Sequence, residues 1–363
     1  MTSQISVGIL GATGVVGQNY IKLLQNHPYF KINYLAASPN SKGKTFKEAV
    51  SGRWQMDTEI PSDLENIITE DASDINQAVG KVDLVFCCVE LEKSAIINLE
   101  KAYAKAGIVV VSNNSALRSD PLVPMLIPEI NSHHLGVIPL QQKEFGFEKG
   151  FIVVKSNCSL QSYMTPIFAL NYAGFEVSKI IVTTLQAVSG AGYPGVSSLD
   201  MIDNLIPFIS GEEEKTENEP LKILGKIGPF GIENKLDLKI SATCTRVPVV
   251  DGHTATVSVQ FNDQRTKPSK EEIKAIWENF KALPQELNLP FAPLKPLHYL
   301  QEENRPQPRK DRNLGKGMAV SIGRLRDCNI LDYKFVGLSH NTIRGAAGGG
   351  ILIAELLVTK KLL

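Results

Sequence analysis

A glycine-rich turn near the start of the chain constrains the fold more than any other sequence feature. The apolar run Ser6–Leu10 leads directly into Gly11–Gly17, and an amphipathic pattern over Gly14–Gln25 follows. Glycines at positions 11, 14 and 17 allow a tight turn, close backbone approach to a pyrophosphate and close packing of helix on strand. Free N–H groups at the helix start favour an anion. The turn therefore predicts a dinucleotide site; the alternative is a glycine turn without a ligand.

Short β-rich runs alternate with helical patterns through the first hundred residues. This alternation predicts an α/β fold whose N-terminal part is a Rossmann domain with a doubly wound parallel sheet. A further strand is expected at Phe151–Lys155, followed by a helix that Pro166 breaks or kinks. The expected strands are Ile5–Leu10, Ile32–Ala37, Asp83–Val89 and Ile108–Ser112, with helices at Gly14–Gln25 and Leu91–Ala106.

The rest of the chain has longer, alternating strands with few helices, which predicts an α+β domain with a mainly antiparallel sheet. The proline-rich segment Leu283–Arg312 is interpreted as an ordered excursion or contact arm rather than core. A last helical pattern, Asn341–Val358, follows a turn. The expected strands are Lys179–Leu185, Ala242–Val247, Thr254–Phe261, Met318–Leu325 and Tyr333–Leu338, with helices at Asp200–Ile206, Glu212–Leu224 and Lys270–Ala282.

The length of 363 residues exceeds what one hydrophobic core normally serves, so we expect two domains. The first is expected to be a cofactor-binding domain of residues 1–156 plus 340–363. The second, residues 157–339, is expected to carry catalysis and dimerisation. Dimer and tetramer both stay open, although the long sheet and the proline-rich segment favour self-association.

Charge and cysteine content exclude several classes of protein. Lys and Arg number 38 and balance 38 Asp and Glu, which leaves no electrostatic footprint for nucleic acid. Five scattered cysteines lack the spacing of a structural zinc site, so no metal is expected and free thiols in a reducing cytoplasm fit best. The opening Met1–Gln4 leads into a strand without an export signal, and no apolar run is long enough to span a membrane.

The end of the second strand favours NADP over NAD. An NAD site usually has a carboxylate there to bind the ribose 2′-hydroxyl. Here the strand ends at Ser38, and the following residues include Ser41, Lys42 and Lys44. Two hydroxyls and two lysines suit a 2′-phosphate; the alternative is a solvated basic loop.

Cys158 is the candidate nucleophile. It closes a strand and precedes a helical pattern, where the free N–H groups and the helix dipole would lower a thiol pKa. The alternative is a small buried apolar residue, as expected for Cys87 and Cys88. A nucleophilic thiol also needs a base and an oxyanion site.

Arg246 and His253 are candidates for the rest of that site. Seven positions separate them, so on one unbroken strand their side chains would point to opposite faces. Pro248 and the pair Asp251-Gly252 break the strand, which could let both reach one pocket. The alternative for His253 is a surface residue after a turn.

Several motifs, in order and at compatible spacing, together resemble aspartate-semialdehyde dehydrogenase, in the branch best known from archaea and fungi. The resemblance covers nearly the whole chain. One departure is Leu160-Gln161, where many relatives have a small hydroxylated residue after Cys-Ser. The motifs are Gly11–Gly17, Ser156–Ser159, Leu185–Gly195, Gly211–Lys215, Arg246–His253 and His340–Gly349.

The resemblance implies a role for each matching position. Cys158 would form an acyl thioester, with His253 as acid/base and Gln186 orienting the acyl group. Arg246 would bind the substrate α-carboxylate through its planar fork, which lysine cannot reproduce. The amino group would bind Glu212, with Glu213 and Glu214 as alternatives. The phosphate contacts would be Arg118, Asn157 and Lys215. The cofactor contacts would be Gly11, Thr13, Gly14, Val15, Val16, Ser38 and Ser41, with Ser189, Gly190 and Asn341 at the nicotinamide half.

Without the resemblance, Glu212–Lys215 is the solvated acidic start of a helix, and Gly345–Gly350 is a flexible turn. The resemblance implies instead that the glycines let the last helix pack back on the cofactor domain.

The implied reaction is the reversible, NADPH-dependent reduction of 4-phospho-L-aspartate to L-aspartate 4-semialdehyde, on the route to lysine, threonine and methionine. The nearest alternative is a malonyl-CoA-type acyl-CoA reductase. Its substrate would not require residues that bind an amino group or a phosphate. N-acetyl-glutamyl-phosphate reductase is more distant, because an acylated amine needs no carboxylate partner. A non-catalytic, NADP-sensing protein would bind cofactor but have an unreactive Cys158.

Overall fold

Seven parallel strands form the N-terminal sheet in the computed structural model, which describes residues 4–262 and 267–363. Their spatial order is β3-β2-β1-β4-β5-β7-β6, and each neighbouring pair is parallel. This confirms the predicted doubly wound sheet. The strands are β1 Ile5–Leu10, β2 Phe30–Ala37, β3 Thr69–Asp71, β4 Leu84–Cys87, β5 Val109–Ser112, β6 Met125–Leu126 and β7 Ile152–Lys155.

The glycine turn fixes how the first helix packs on this sheet. Gly11 has a φ of 88°, and a Cβ at Gly17 would lie 2.3 Å from the Gly11 carbonyl oxygen, so a larger residue at Gly17 would push the helix off the strand. The helices of this half are α1 Val15–Leu23, α2 Phe46–Ala49, α3 Lys93–Lys105, α4 Pro128–Asn131 and α5 Ile138–Phe145.

The second sheet has six strands in the order β11-β8-β12-β15-β14-β13. Its three central pairs are antiparallel and both edge pairs are parallel, so the sheet is mixed around a mainly antiparallel centre. A separate hairpin joins β9 to β10. The strands are β8 Val177–Gln186, β9 Lys226–Gly228, β10 Gly231–Glu233, β11 Lys239–Arg246, β12 His253–Phe261, β13 Leu297–Leu300, β14 Val320–Asp327 and β15 Tyr333–Ser339.

Helices cover one face of this sheet and leave the other open. Along β8, Ile180 and Val182 are buried, whereas Ile181 between them is 45% exposed. On the covered face the indole of Trp277 donates to the Pro166 carbonyl oxygen at 2.9 Å, joining α9 to α6. The remaining helices are α6 Met164–Tyr172, α7 Ser198–Met201, α8 Glu212–Ile223, α9 Lys270–Asn279, α10 Leu283–Glu286, α11 Pro308–Asp311 and α12 Gly348–Thr359.

Two helix predictions were wrong in their details. α7 ends at Met201 rather than extending to Ile206, because the Ile206 backbone instead exchanges hydrogen bonds with Arg246 (N–O distances 2.8 and 3.1 Å). Pro166 does not break α6. The helix begins at Met164, so the proline lies in its first turn, where no backbone N–H is needed.

The proline-rich segment contributes to the core, which corrects its interpretation as an excursion. β13 lies within it and pairs with β14, and the side chains of Leu289 and Leu297 are buried. The backbone N–H of Phe291 donates to the buried carboxylate of Glu355 at 3.0 Å. The prolines end local elements, but the apolar residues between them still pack inward.

The end of the chain returns to the first sheet. Gly348–Gly350 form the first turn of α12 instead of a flexible turn, and α12 contacts α1, β5 and β7. A Cβ at Gly350 would lie 1.9 Å from the Tyr20 hydroxyl oxygen, so glycine is required for this approach. No helix within residues 4–262 and 267–363 has the length and apolar character needed to cross a membrane. Met1–Ser3, on which the expectation of no export signal partly rests, lie outside the described residues.

Candidate functional site

The candidate nucleophile lies in a short turn rather than at the start of a long helix. Cys158 follows β7 and caps a 3₁₀ turn, Ser159–Ser162. The side-chain oxygen of Asn157 accepts hydrogen bonds from the backbone N–H of Ser159 at 2.8 Å and from its hydroxyl at 2.9 Å. Because that N–H is already bonded, it is not available for an oxyanion. The thiol of Cys158 is partly exposed.

His253 stands beside the thiol. The Nε2 atom of His253 lies 3.3 Å from the Cys158 sulfur, and the backbone N–H of Ala187 donates to Nδ1 at 3.0 Å. Since Nδ1 is an acceptor, the neutral ring carries its hydrogen on Nε2, facing the sulfur. His253 is therefore placed as a hydrogen-bond donor to Cys158.

The electrostatics of this pair differ from the sequence prediction. Burial raises the pKa of the Cys158 thiol, the nearby Glu212 carboxylate raises it further, and the cations Lys155, Arg118 and Arg246 only partly offset these effects. The prediction of a lowered pKa was wrong. The dipole of a four-residue turn stabilises the thiolate less than burial destabilises it, so the pKa rises. Burial and Arg246 lower the pKa of His253 to about 3. The resting pair is neutral.

These shifts predict the pH dependence of thiol reactivity. We expect the alkylation rate of Cys158 by iodoacetamide to rise with pH and to have its midpoint above that of an ordinary thiol, about 8.5. The reason is that the reactive thiolate forms only above the raised pKa. Stopped-flow or mass-spectrometric alkylation rates across pH 6–10 would measure it. A plateau already reached at pH 7 would contradict this prediction.

Arg246 and His253 reach the same space, as the strand break between them allows. β11 ends at Arg246 and β12 begins at His253. A Cβ at Gly190 would lie 2.9 Å from Arg246 Nη1 and 3.2 Å from His253 Nε2. Arg246 Nη1 also donates to the Ala187 carbonyl oxygen at 2.8 Å. The backbone N–H of Ala187 thus orients His253, and its carbonyl oxygen orients Arg246.

Glu212 is the acidic residue of its run that enters the site. Its carboxylate accepts from Asn157 Nδ2 at 2.9 and 3.0 Å, from Gln186 at 3.1 Å and from Lys215 at 2.8 Å. Burial alone would raise the pKa of Glu212, but these hydrogen bonds and the Lys215 charge outweigh burial and lower it. Glu213 instead accepts from the Cys244 backbone, and Glu214 is exposed.

A cavity of about 330 Å³ lies along α8, and Glu219 in its lining accepts a hydrogen bond from Asn157, next to the nucleophile turn. Arg118 and Lys215 line it together with Lys93, the side chains of Ser115 and Ser119, and the carboxylates of Glu214 and Glu219. Clustered cations and hydroxyls in a partly enclosed cavity suit a phosphate group. The predicted phosphate residues Arg118 and Lys215 are therefore together, whereas Asn157 faces Glu212.

A cleft of about 510 Å³ separates the glycine turn from the second sheet's loops. Val15 and Ser189 line opposite sides of it. Asn341 donates from Nδ2 to the Ser189 hydroxyl at 2.8 Å and accepts at Oδ1 from the Gly252 N–H at 2.8 Å. Asn341 thereby connects the loop of Ser189 and Gly190 to the loop of Gly252, and both loops border the cleft.

The glycine turn leaves a cradle for an anion. The N–H groups of Gly11 and Ala12 both donate to Ala36 of β2, and the Gly14 N–H donates to Gly11. The next N–H groups, at Val15 and Val16, start α1 and have no intrahelical acceptor. Together with Thr13 in the same turn, they could hold a pyrophosphate.

At the end of β2 the side chains that were predicted to favour NADP differ in their exposure. Ser38 is exposed and Ser41 is buried in the 3₁₀ turn Pro39–Ser41. Lys42 pairs with Asp74 at 3.4 Å, so that lysine is partly engaged, whereas Lys44 is exposed. Residues 38–44 contain no carboxylate, whereas Asp71, at the end of the neighbouring strand β3, lies in register with Ala37.

Several buried polar residues around the site were missed by sequence reasoning. Lys155, at the end of β7, donates to the Ser156 carbonyl oxygen at 2.7 Å, and burial lowers its pKa to about 7. Glu219 contacts both Arg118 and Asn157. Spacing could have signalled Glu219, since it lies two helical turns from Glu212 on the same face of α8.

Comparison with known proteins gives a consistent result. A family model described as semialdehyde dehydrogenase, NAD binding domain, matches residues 6–138, and one described as semialdehyde dehydrogenase, dimerisation domain, matches residues 167–344. The chain is 42% identical to an aspartate-semialdehyde dehydrogenase of Cryptococcus neoformans over 99% of its own length and 98% of the relative's. It is 44% identical to one from Archaeoglobus fulgidus, over 99% of both.

A solved structure gives the same result. The crystal structure of aspartate-semialdehyde dehydrogenase with NADP from Candida albicans superposes with a TM-score of 0.89 at 38% identity, covering 99% of this chain and 100% of that one. Identity at this level over full length extends beyond shared fold to shared family. The chain belongs to the aspartate-semialdehyde dehydrogenase family.

Proposed function

We propose that this protein catalyses the NADPH-dependent reduction of 4-phospho-L-aspartate to L-aspartate 4-semialdehyde, reversibly, through a thioester on Cys158. The observation that carries the proposal is the approach of His253 Nε2 to within 3.3 Å of the Cys158 sulfur, with Arg246 beside the same histidine. A thiol, a hydrogen-bond donor and a carboxylate-binding fork together suit acyl transfer from an amino-acid derivative.

In the first half-reaction the Cys158 sulfur attacks the acyl carbon. A carbon–sulfur bond forms, the bond from carbon to the phosphate oxygen breaks, and the thiol proton leaves with the phosphate. His253 Nε2–H donates to the charge that develops on sulfur and on the carbonyl oxygen. The resemblance implies that His253 acts as both acid and base, whereas this geometry supports only the role of hydrogen-bond donor. To accept a proton the ring would have to take it up at Nδ1, which already accepts from the Ala187 N–H.

The substrate is held by groups on three sides. Arg246 binds the α-carboxylate, Glu212 the amino group, and Arg118 with Lys215 the phosphate. Gln186 is the last residue of β8 and donates to Glu212 at 3.1 Å, and from there it would orient the acyl group. Lys215 now pairs with Glu212, so phosphate binding competes with that ion pair.

NADP(H), when bound, supplies or accepts the hydride. The N–H groups of Val15 and Val16, with Thr13, would hold its pyrophosphate at the start of α1, and Gly11 and Gly14 would let the pyrophosphate approach the backbone closely. The N–H groups and the 510 Å³ cleft fit such a group. In the second half-reaction a carbon–hydrogen bond would form at the acyl carbon with the hydride, the carbon–sulfur bond would break, semialdehyde would leave, and the Cys158 sulfur would take up a proton.

The end of β2 supports NADP rather than NAD. Ser38 and Ser41, with Lys44, offer hydroxyls and a cation to a 2′-phosphate, and residues 38–44 contain no carboxylate for the 2′-hydroxyl. The relative from Candida albicans was crystallised with NADP. Ser189 lines the cleft and accepts from Asn341, and with Gly190 these two residues would contact the nicotinamide half of the cofactor.

We propose a homo-oligomer assembled through the open face of the second sheet. Ile181 lies on that face and is 45% exposed, and Leu199 and Phe208 are exposed nearby in sequence at 84% and 62%. Apolar exposure of this kind is typical of an interface.

Residues 1–156 with 340–363 would form the cofactor domain and 157–339 the assembling domain. Sedimentation equilibrium distinguishes dimer from tetramer. Five unpaired thiols support a cytoplasmic location.

Phosphate-dependent reduction of NADP, with aspartate semialdehyde as the electron donor, tests the function. We expect turnover only when phosphate or arsenate is present, because the thioester needs an acceptor. Coenzyme A in place of phosphate tests the acyl-CoA reductase alternative. Turnover with coenzyme A and none with phosphate would replace the proposal, and cofactor binding without turnover would favour a sensor.

A further inference from the structure

Glu219 joins two parts of the candidate site that lie on different elements. It belongs to α8 and is 7% exposed. Its Oε1 atom accepts from Arg118 Nη1 at 2.9 Å, and its Oε2 atom accepts from the backbone N–H of Asn157 at 2.6 Å. Each oxygen of one carboxylate is thus bonded to a different segment.

The two partners depend on Glu219 to different degrees. Asn157 has other anchors, because its side chain bonds to Glu212 and to Ser159. Arg118 has one other hydrogen bond, from Nη2 to the Asn113 carbonyl oxygen at 2.9 Å, and among the described residues its buried Nε has no partner. Removing the carboxylate would therefore displace the guanidinium more than the nucleophile turn.

We propose that Glu219 is a positioning residue, which holds the Arg118 guanidinium at a fixed place relative to the nucleophile turn so that the substrate phosphate and the Cys158 sulfur are correctly spaced. The inference rests on the proposed function, in which Arg118 binds phosphate. Glu219 acts through Arg118 and the backbone of Asn157. An Arg fork gains binding energy only when its orientation is fixed, and small misplacements of reacting groups cost about 10²-fold in rate.

The test is Glu219→Gln, which keeps the size but replaces one of the two acceptor oxygens by an NH2 group that only donates. Arg118 and Asn157 bond to different oxygens of Glu219, so glutamine in the same place can accept from only one of them. We expect phosphate-dependent turnover with aspartate semialdehyde to fall about 30- to 100-fold, with a raised KM for phosphate. Single-turnover reduction of NADP without phosphate, which does not use the phosphate contact of Arg118, should stay within about threefold of wild type.

A selective loss of the phosphate step distinguishes positioning from structural damage. Equal losses in both steps, or no loss in either, would overturn the inference. Absence of the single-turnover signal in the wild-type protein would instead overturn the proposed function. Glu278→Gln makes the same change at an exposed position of α9 and should leave both steps unchanged.

Two further variants protect the test from a folding defect. Glu219→Asp keeps two acceptors on a shorter side chain and should recover part of the phosphate step; it decides the question if the glutamine variant does not fold. In a double-mutant cycle, Arg118→Lys and Glu219→Gln should be non-additive for the phosphate KM, because they share one contact. Additive effects would contradict the inference.

Discussion

Replacing Cys158 by alanine is expected to abolish turnover, by at least about 10⁴-fold in kcat, while NADPH still binds within about twofold of wild type. The reason is that in the proposed mechanism the thioester is the only covalent link between acyl transfer and hydride transfer, and losing a nucleophile costs up to about 10⁶-fold in well-studied hydrolases. Turnover by absorbance at 340 nm, with NADPH binding by fluorescence, measures both.

A matched control separates this effect from the loss of any thiol. Cys328 directly follows β14, in the loop that leads to the start of β15, whereas His253 pairs with Ser339 at the end of β15. Cys328 is also a free thiol, and Cys328→Ser should keep wild-type turnover. Acyl-enzyme trapped by acid quench and mass spectrometry should appear in wild type and be absent from the alanine variant. Turnover retained without Cys158 would remove the thioester mechanism.

The second large effect is expected for Arg246→Lys. Lysine keeps the charge but cannot form the two parallel hydrogen bonds to a carboxylate, and it also loses the bond to the Ala187 carbonyl oxygen. We expect kcat/KM for aspartate semialdehyde to fall about 100-fold, mostly through KM, which corresponds to about 2.7 kcal/mol of binding. Steady-state kinetics with varied semialdehyde measure it.

The loss should be confined to substrate binding. NADP affinity should be unchanged, because Arg246 lies on the second sheet and not at the glycine turn. Arg309→Lys, at an exposed position of α11, is the matched control and should behave as wild type. A fall in kcat with an unaltered KM would show that Arg246 acts on the chemical step and not on the carboxylate.

Local sequence patterns predicted the first sheet well because they depend on near neighbours. The alternation of Ser6–Leu10 with the glycine turn and an amphipathic stretch is sufficient for a strand, turn and helix in that order. Short strands such as β3 and β6 escaped prediction, because three residues or fewer carry no clear periodicity. Prolines misled the interpretation of β13, since their local effect hides the buried leucines between them.

The candidate site was predictable residue by residue but not as an arrangement. Cys158, Arg246 and His253 were identified from motifs, yet nothing in the spacing places Ala187 so that its N–H orients the histidine and its carbonyl the arginine. Glu219 was overlooked because a glutamate in a charged helix resembles a solvated one until its partners are known.

By itself the sequence determined the glycine turn, the position of the candidate nucleophile and the order of the two sheets, since each is encoded in a few adjacent residues. Only the tertiary structure decided that the Cys158 pKa is raised and which α8 carboxylates face inward. The physical reason is that desolvation and hydrogen bonding depend on every group packed around an atom, and those groups come from distant parts of the chain.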